Sequence, residues 1–237
     1  MMYVLYGFVF GCLIPFLARR IGKFCAYTPG YTLLKLFIPT HYMPWKKLQT
    51  NPAYMHLFNR YLMRSLGWGI FTAAATYLFS VCFDTFYTVW YVAFLWILLL
   101  SVEIDKRFML LPDILTLPLL ILGFGYAAIG GNWLNTLEPE IINNVQNSFL
   151  GAAFGYIMPT FASIFIVWKH PDAFGAGDIK LLSAIGAWLG FECISYVILL
   201  SCLIFALTCL IYKQKAGAFG PAIVYAALIV SVCMFGF

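Results

Sequence analysis

Long apolar stretches broken by short polar ones run from one end of the chain to the other. They occupy residues 1–18 and about 66–83, 87–104, 115–130, 148–168, 181–191, 194–212 and 218–237. Most approach the ~20 residues that a helix needs to cross a hydrocarbon layer about 30 Å thick. The runs are continuous rather than alternating, which predicts helices that satisfy their own backbone hydrogen bonds and excludes a barrel. The expected fold is all-α, a polytopic transmembrane helix bundle of about eight spans. The run at 181–191 is shorter than a normal span, so it is expected to be packed within the bundle or partly re-entrant. Gly151, Ala152, Ala153 and Gly155 in one run, and Ala184, Gly186, Ala187 and Gly190 in another, predict close helix packing. Pro159 is expected to kink the run that contains it.

Composition sharpens this picture. The 237 residues are 63% hydrophobic and 10% charged, with a mean hydropathy of +0.91, more than any soluble core of this size needs. All fourteen Lys and Arg residues lie in segments 19–64, 105–114, 169–180 and 213–217. The segments between them hold only acids: Asp84, Glu138, Glu140 and Glu192. This alternation supports the span count, places the basic segments in the cytoplasm and puts both termini on the other side. Residues 1–18 have no basic region ahead and no small-x-small site behind, so they read as a retained first span stopped by Arg19 and Arg20, not as a cleaved leader. The expected organisation is a first transmembrane helix at 1–18, a cytoplasmic basic loop at 19–64 and a transmembrane core at 65–237. The loop carries Arg19, Arg20, Lys23, Lys35, Lys46, Lys47, Arg60 and Arg64 with no acid, and its aromatic residues suit the headgroups of an anionic lipid leaflet. The excess of positive charge thus reports orientation, and no motif points to nucleic acid. Seven scattered cysteines read as small buried hydrophobes rather than a disulfide or metal framework.

The candidate chemistry lies in the acids of two short cytoplasmic connections: Glu103, Asp105 and Asp113 in one, Asp172 and Asp178 in the other. A carboxylate near a membrane span is costly and rarely idle. Asp178 follows Gly175-Ala176-Gly177, whose glycines permit unusual backbone angles and the close approach of another chain. Asp105 closes an apolar run, the wrong end of a helix dipole for an anion, and its structural alternative is an ion pair with Lys106 or Arg107. Asp113 follows Pro112 and fits a helix N-cap. Glu103 reads as a snorkelling or paired charge, and Asp172 as solvated. One carboxylate from each connection can meet across a small gap, as an acid/base pair requires. His41, His56 and His170 match no zinc spacing, and no Gly-x-Ser-x-Gly elbow supports a serine nucleophile.

With both stretches in hand, the chain resembles the type 4 prepilin peptidases, membrane aspartyl proteases of the Gly-x-Gly-Asp class. The resemblance rests on Gly11-Cys12 through Arg20, on Ile104-Asp105 with Leu111-Pro112-Asp113-Ile114-Leu115-Thr116-Leu117-Pro118, on Gly175-Ala176-Gly177-Asp178-Ile179-Lys180-Leu181-Leu182, and on Phe219-Gly220-Pro221. It implies catalytic aspartates at Asp105 and Asp178, with Gly175, Gly177, Asp113 and Lys180 binding substrate or supporting the site. It implies a prepilin or pseudopilin substrate, cleaved at the cytoplasmic face of a bacterial inner membrane without a cofactor. A second implied activity is N-methylation of the new amino terminus with S-adenosyl-L-methionine. Many members carry two zinc-binding Cys-x-x-Cys pairs after the first span. Only Cys25 stands here, which argues against a metal.

Three other readings stay open on sequence. Paired intramembrane acids also suit a proton-coupled transporter, in which Asp→Asn would stop transport without changing the size of any pilin. A non-catalytic scaffold of a secretion apparatus would tolerate loss of both aspartates. The presenilin-like group shares Gly-x-Gly-Asp, but its first motif is Tyr-Asp where Ile104 precedes Asp105 here.

Overall fold

The computed structural model describes residues 2–24, 32, 52–82, 85–131, 141–167, 175–213 and 217–235. Most of the basic loop, with Cys25 and His41, lies outside the described residues, as do His170, Asp172, Asp84, Glu138 and Glu140. The described residues form seven helices and no strand: α1 (Met2–Phe24), α2 (Pro52–Cys82), α3 (Thr85–Phe108), α4 (Asp113–Ala128), α5 (Ile141–Val167), α6 (Ala176–Tyr212) and α7 (Gly220–Phe235). The all-α expectation therefore holds. Three helices are long and apolar enough to cross a membrane, over Met2–Lys23, Tyr87–Phe108 and Ala176–Tyr212, while Asp113–Ala128 and Gly220–Cys233 are shorter apolar helices.

Three details differ from the sequence pattern. α2 begins at Pro52, inside the segment expected as a loop. α1 continues through Arg19 and Arg20 to Phe24, because arginine suits a helix well and a charge ends an apolar run without ending the helix. The runs at 181–191 and 194–212 are two helical segments joined directly through a kink, together labelled α6, where the sequence pattern suggested a short connection at 192–193. Its backbone leaves helical geometry only at Gly190, with φ 82° and ψ 177°, a combination open almost solely to glycine.

Contacts divide the chain into two compact units, Met1–Glu103 and Ile104–Phe237, with the boundary inside α3. In the first unit α1 and α2 pack along small residues. Gly7 and Gly11, one turn apart, leave room for Thr76, Thr72 and the Trp68 carbonyl. The Thr72 hydroxyl donates to the Gly7 carbonyl at 2.8 Å, and Ser65 donates to the Cys12 carbonyl at 2.5 Å. On α3, Phe94, Leu95, Leu98 and Leu99 are buried. Trp96 stacks on Phe10 and donates to Thr76. Glu103, 1% exposed, is a paired charge: Arg64 lies 2.9 Å from one carboxylate oxygen, and the Trp68 indole donates to the other at 3.2 Å.

In the second unit α6 packs against α4, α5 and α7. The seam with α5 is made of backbone. A Cβ at Gly155 would lie 2.6 Å from the Leu182 carbonyl oxygen, and Gly151 faces Gly186 and Gly190. Small residues four apart on both helices permit this approach. Gly155→Val is expected to destabilise the protein by roughly 1–3 kcal/mol through overpacking, seen as a lower midpoint of thermal unfolding in detergent. Trp188 closes the seam with α4, stacking on Tyr126 and donating to the Leu119 carbonyl at 2.7 Å.

The cysteines correct one expectation. Cys193 is buried, but Cys12 and Cys209 are partly exposed and Cys202 and Cys233 exposed. All five are free thiols, and an apolar thiol facing outward suits a helix whose surroundings are themselves apolar.

Candidate active site

Four helix ends of the second unit meet around Asp105. α3 ends one turn beyond this residue, where Met109 turns into the left-handed region at φ 50° and its N–H returns to the Asp105 carbonyl at 2.9 Å. Residues 110–112 then run without regular structure to α4, whose first residue is Asp113. The Asp105 side chain, 4% exposed, accepts the Gly220 N–H on Oδ2 at 2.9 Å. Gly220 opens α7, and an N–H in a first turn has no acceptor within its own helix. Asp105 therefore sits at the wrong end of its own helix dipole and at the right end of another. The ion pair weighed against it does not form among the described residues. Lys106 instead donates to the Tyr225 hydroxyl at 3.0 Å.

Asp178 lies in the first turn of α6, three residues after the N-cap Gly175. Its N–H bonds the Gly175 carbonyl at 3.0 Å, and its carboxylate reaches back to the Gly175 backbone, as an acid three residues into a helix often does. The carboxyl groups of Asp178 and Asp105 interact electrostatically. The two connections thus bring one aspartate each within electrostatic reach of the other. Both stand at helix N-termini.

Gly175 has ordinary extended angles, φ −76° and ψ 134°, and the left-handed glycines are Gly130 and Gly190. Gly177 matters for closeness: a Cβ there would lie 2.8 Å from Leu111 Cβ and 3.1 Å from the Leu111 carbonyl oxygen. It brings the chain's own 110–112 connection onto the first turn of α6. Asp113 is not an N-cap. Pro112 holds that place, and its fixed φ of −75° with an extended ψ sets the helix start. Asp113 is the first helical residue and pairs with Lys180 Nζ at 2.6 Å, both side chains nearly half exposed. This bridge ties α4 to α6 beside the aspartates.

In the sequence Gly220 and Leu111 stand out only as members of motifs, with no role of their own. A glycine before proline at the start of an apolar run was the available signal for the first, while nothing local marks Leu111. Among the described residues no three His, Cys, Asp or Glu side chains cluster as metal ligands would.

Known proteins match this same region. The type IV leader peptidase family model matches residues 92–210, just over half of the chain, a stretch that holds Asp105, Asp113, Gly175, Gly177, Asp178 and Lys180. A prepilin leader peptidase/N-methyltransferase of Aeromonas hydrophila is 37% identical over 112 residues, covering 46% of this chain and 34% of that protein. Proteins of the same description from Xanthomonas campestris pv. campestris and Pseudomonas aeruginosa are 36% and 33% identical, covering 54% and 56% of this chain and 44% and 46% of theirs. The matches thus span less than half the length of these relatives. No solved structure matches the chain. With a family match running through both aspartate-bearing connections, the chain belongs to the type IV leader peptidase family.

Proposed function

We propose that this chain is a membrane-embedded aspartyl endopeptidase that removes the leader peptide from type IV prepilins or pseudopilins at the cytoplasmic face of a bacterial inner membrane. The observation that carries the reading is the meeting of Asp105 and Asp178, from separate connections, at the ends of α3, α6 and α7 within the family-matched region. The related proteins' description as prepilin leader peptidase/N-methyltransferase supports the substrate class.

In this reading the two carboxyl groups share one proton and act as a coupled unit. The ionised group takes a proton from water, which attacks the scissile carbonyl. The protonated group hydrogen-bonds that carbonyl oxygen and then donates to the leaving amine, so the proton count returns to its start. The Gly220 N–H holds Asp105 in place. Gly175, exposed ahead of α6, leaves the approach open to an extended substrate, and the Lys180–Asp113 bridge fixes α4 beside α6. Asp113→Asn should keep leader removal within a few-fold of the parent rate, because an exposed ion pair contributes only about 0–1 kcal/mol.

In this reading the chain crosses the membrane in eight segments, with α6 taken as two about Gly190. α6 alone, with 37 residues, would rise about 55 Å, nearly twice the apolar thickness of a bilayer. Residues 65–237 then form the protease core, and the basic segment 19–64 faces the cytoplasm and the lipid headgroups. N-methylation of the new amino terminus from S-adenosyl-L-methionine is the second activity.

Co-expression with a candidate prepilin, followed by gel mobility and the N-terminal mass of the product, tests the whole reading. Cleaved pilin is expected, heavier by one methyl group than the bare sequence. An intact leader with the parent chain present would overturn the peptidase, and an unmodified amino terminus would remove the methyltransferase alone.

A further inference from the structure

In an uninterrupted helix the Phe191 N–H would donate to the Ala187 carbonyl four residues back. Around the break at Gly190 each of these two groups has a side-chain partner on α5. The Phe191 N–H donates to Asn147 Oδ1 at 2.9 Å, and the Ala187 carbonyl accepts from the Ser148 hydroxyl at 2.5 Å. Two adjacent residues of one helix therefore stand in for the bond between donor and acceptor that the break disturbs in the other. Ser148 is 3% exposed, a depth at which a polar group left without its partner is destabilising. The fit is close: a Cβ at Gly190 would lie 2.9 Å from Asn147 Cγ and 3.0 Å from its Oδ1. A small cavity beside the break is lined by Asn144, Asn147, Ser148 and Trp188, and Asn144 ties the start of α5 to the Gly130 carbonyl at the end of α4.

The α5–α6 seam elsewhere is glycine against backbone at Gly151, Gly155 and Gly186. Such a seam packs closely; the Phe154 and Phe191 rings meet across it edge to face at 5.0 Å beside the break, and directional bonds add to what sets its register. Besides the two at the break, Ser183 donates to the Ala152 carbonyl at 2.9 Å. Asp178 lies twelve residues from Gly190, a lever of about 18 Å, so a rotation of about 5° at the break displaces it by about 1.6 Å. A misplacement of about 1 Å can cost about 100-fold in rate.

We propose that Asn147 and Ser148 are positioning residues: they hold the break in α6 at one angle and thereby fix where its N-terminal half presents Asp178 to Asp105. This rests on the aspartyl peptidase reading for its effect on rate, though the geometry of the break does not. The test uses the full chain in detergent or nanodiscs, comparing the parent with Asn147→Ala, Ser148→Ala and the double variant. Leader cleavage should lose about 10- to 100-fold in kcat in the double variant with KM within about twofold, since the substrate surface is untouched while the aspartates part. Amide exchange over residues 178–190 should quicken about five- to tenfold, with α5 beyond residue 155 unchanged. Exchange that rises evenly through all helices, with activity falling only as folded protein is lost, would overturn the proposal, as would kinetics and exchange like the parent's. If the double variant does not accumulate, Ser148→Ala, which leaves the Asn147 bond in place, is judged by the same two measurements. A parent chain that cuts no prepilin would count against the peptidase reading, while the exchange pattern would still decide whether the two residues hold the break.

Discussion

Asp105→Asn and Asp178→Asn are each expected to slow leader removal by at least about 10,000-fold, leaving the precursor at full length in cells that accumulate the variant normally. Either amide keeps the shape of the carboxyl group. In Asp105→Asn the new side chain would still offer an oxygen to the Gly220 N–H, which Asp105 Oδ2 accepts at 2.9 Å in the parent. The fold should survive, so the loss would lie in the chemistry. An amide can neither take a proton from water nor return one to a leaving amine, and with one partner changed the other has no proton to share. The two replacements remove the same device, so the double variant should be no slower than the worse single one. If Asp105→Asn cleaves at the parent rate while Asp113→Asn is inactive, the first aspartate has been assigned wrongly. If both single variants cleave, the aspartyl mechanism falls. A proton-coupled transporter would lose transport in the same variants and leave every pilin unchanged.

What the sequence made legible depended on how local its cause was. Helices came through because a continuous apolar run in this composition has few alternatives, and Asp105 and Asp178 came through because a carboxylate beside such a run demands a reason. The break at Gly190 came through as the gap between two apolar runs, but not its residue or its form. A glycine among small residues reads the same whether it begins a loop, eases packing or occupies a left-handed turn, and Glu192 drew the connection two residues too far along. Only its neighbours on α5 distinguish these cases, and Asn147 lies 44 positions from the N–H that it accepts. The partner of Asp105 is farther still, 115 positions along the chain, so no window of sequence could join them. Asp113 shows the reverse error. A proline followed by an aspartate suggested a capping side chain, but the proline itself held the cap position, and the aspartate was left to pair with Lys180.

Gly220→Ala is expected to produce the largest loss of activity of any change outside the two aspartates, about 100-fold in kcat, with KM little altered. The added Cβ would lie 2.6 Å from Asp105 Oδ2 and 3.0 Å from its Cγ, closer than real atoms of these types approach. The backbone itself would accept alanine: Gly220 is not among the glycines with positive φ, and alanine favours a helix over glycine by about 1 kcal/mol. Relief must therefore come from the carboxyl group turning away from the first N–H of α7, which removes both its hydrogen bond and its orientation toward Asp178. A structural role alone predicts the opposite pattern, a lower unfolding midpoint with normal turnover by the protein that remains folded. Measured kcat, KM and thermal midpoint together separate the two. Unchanged turnover in a stably folded Gly220→Ala chain would mean that the Asp105 carboxyl group needs no support from α7, and that the glycine is there only to let two helix ends pass.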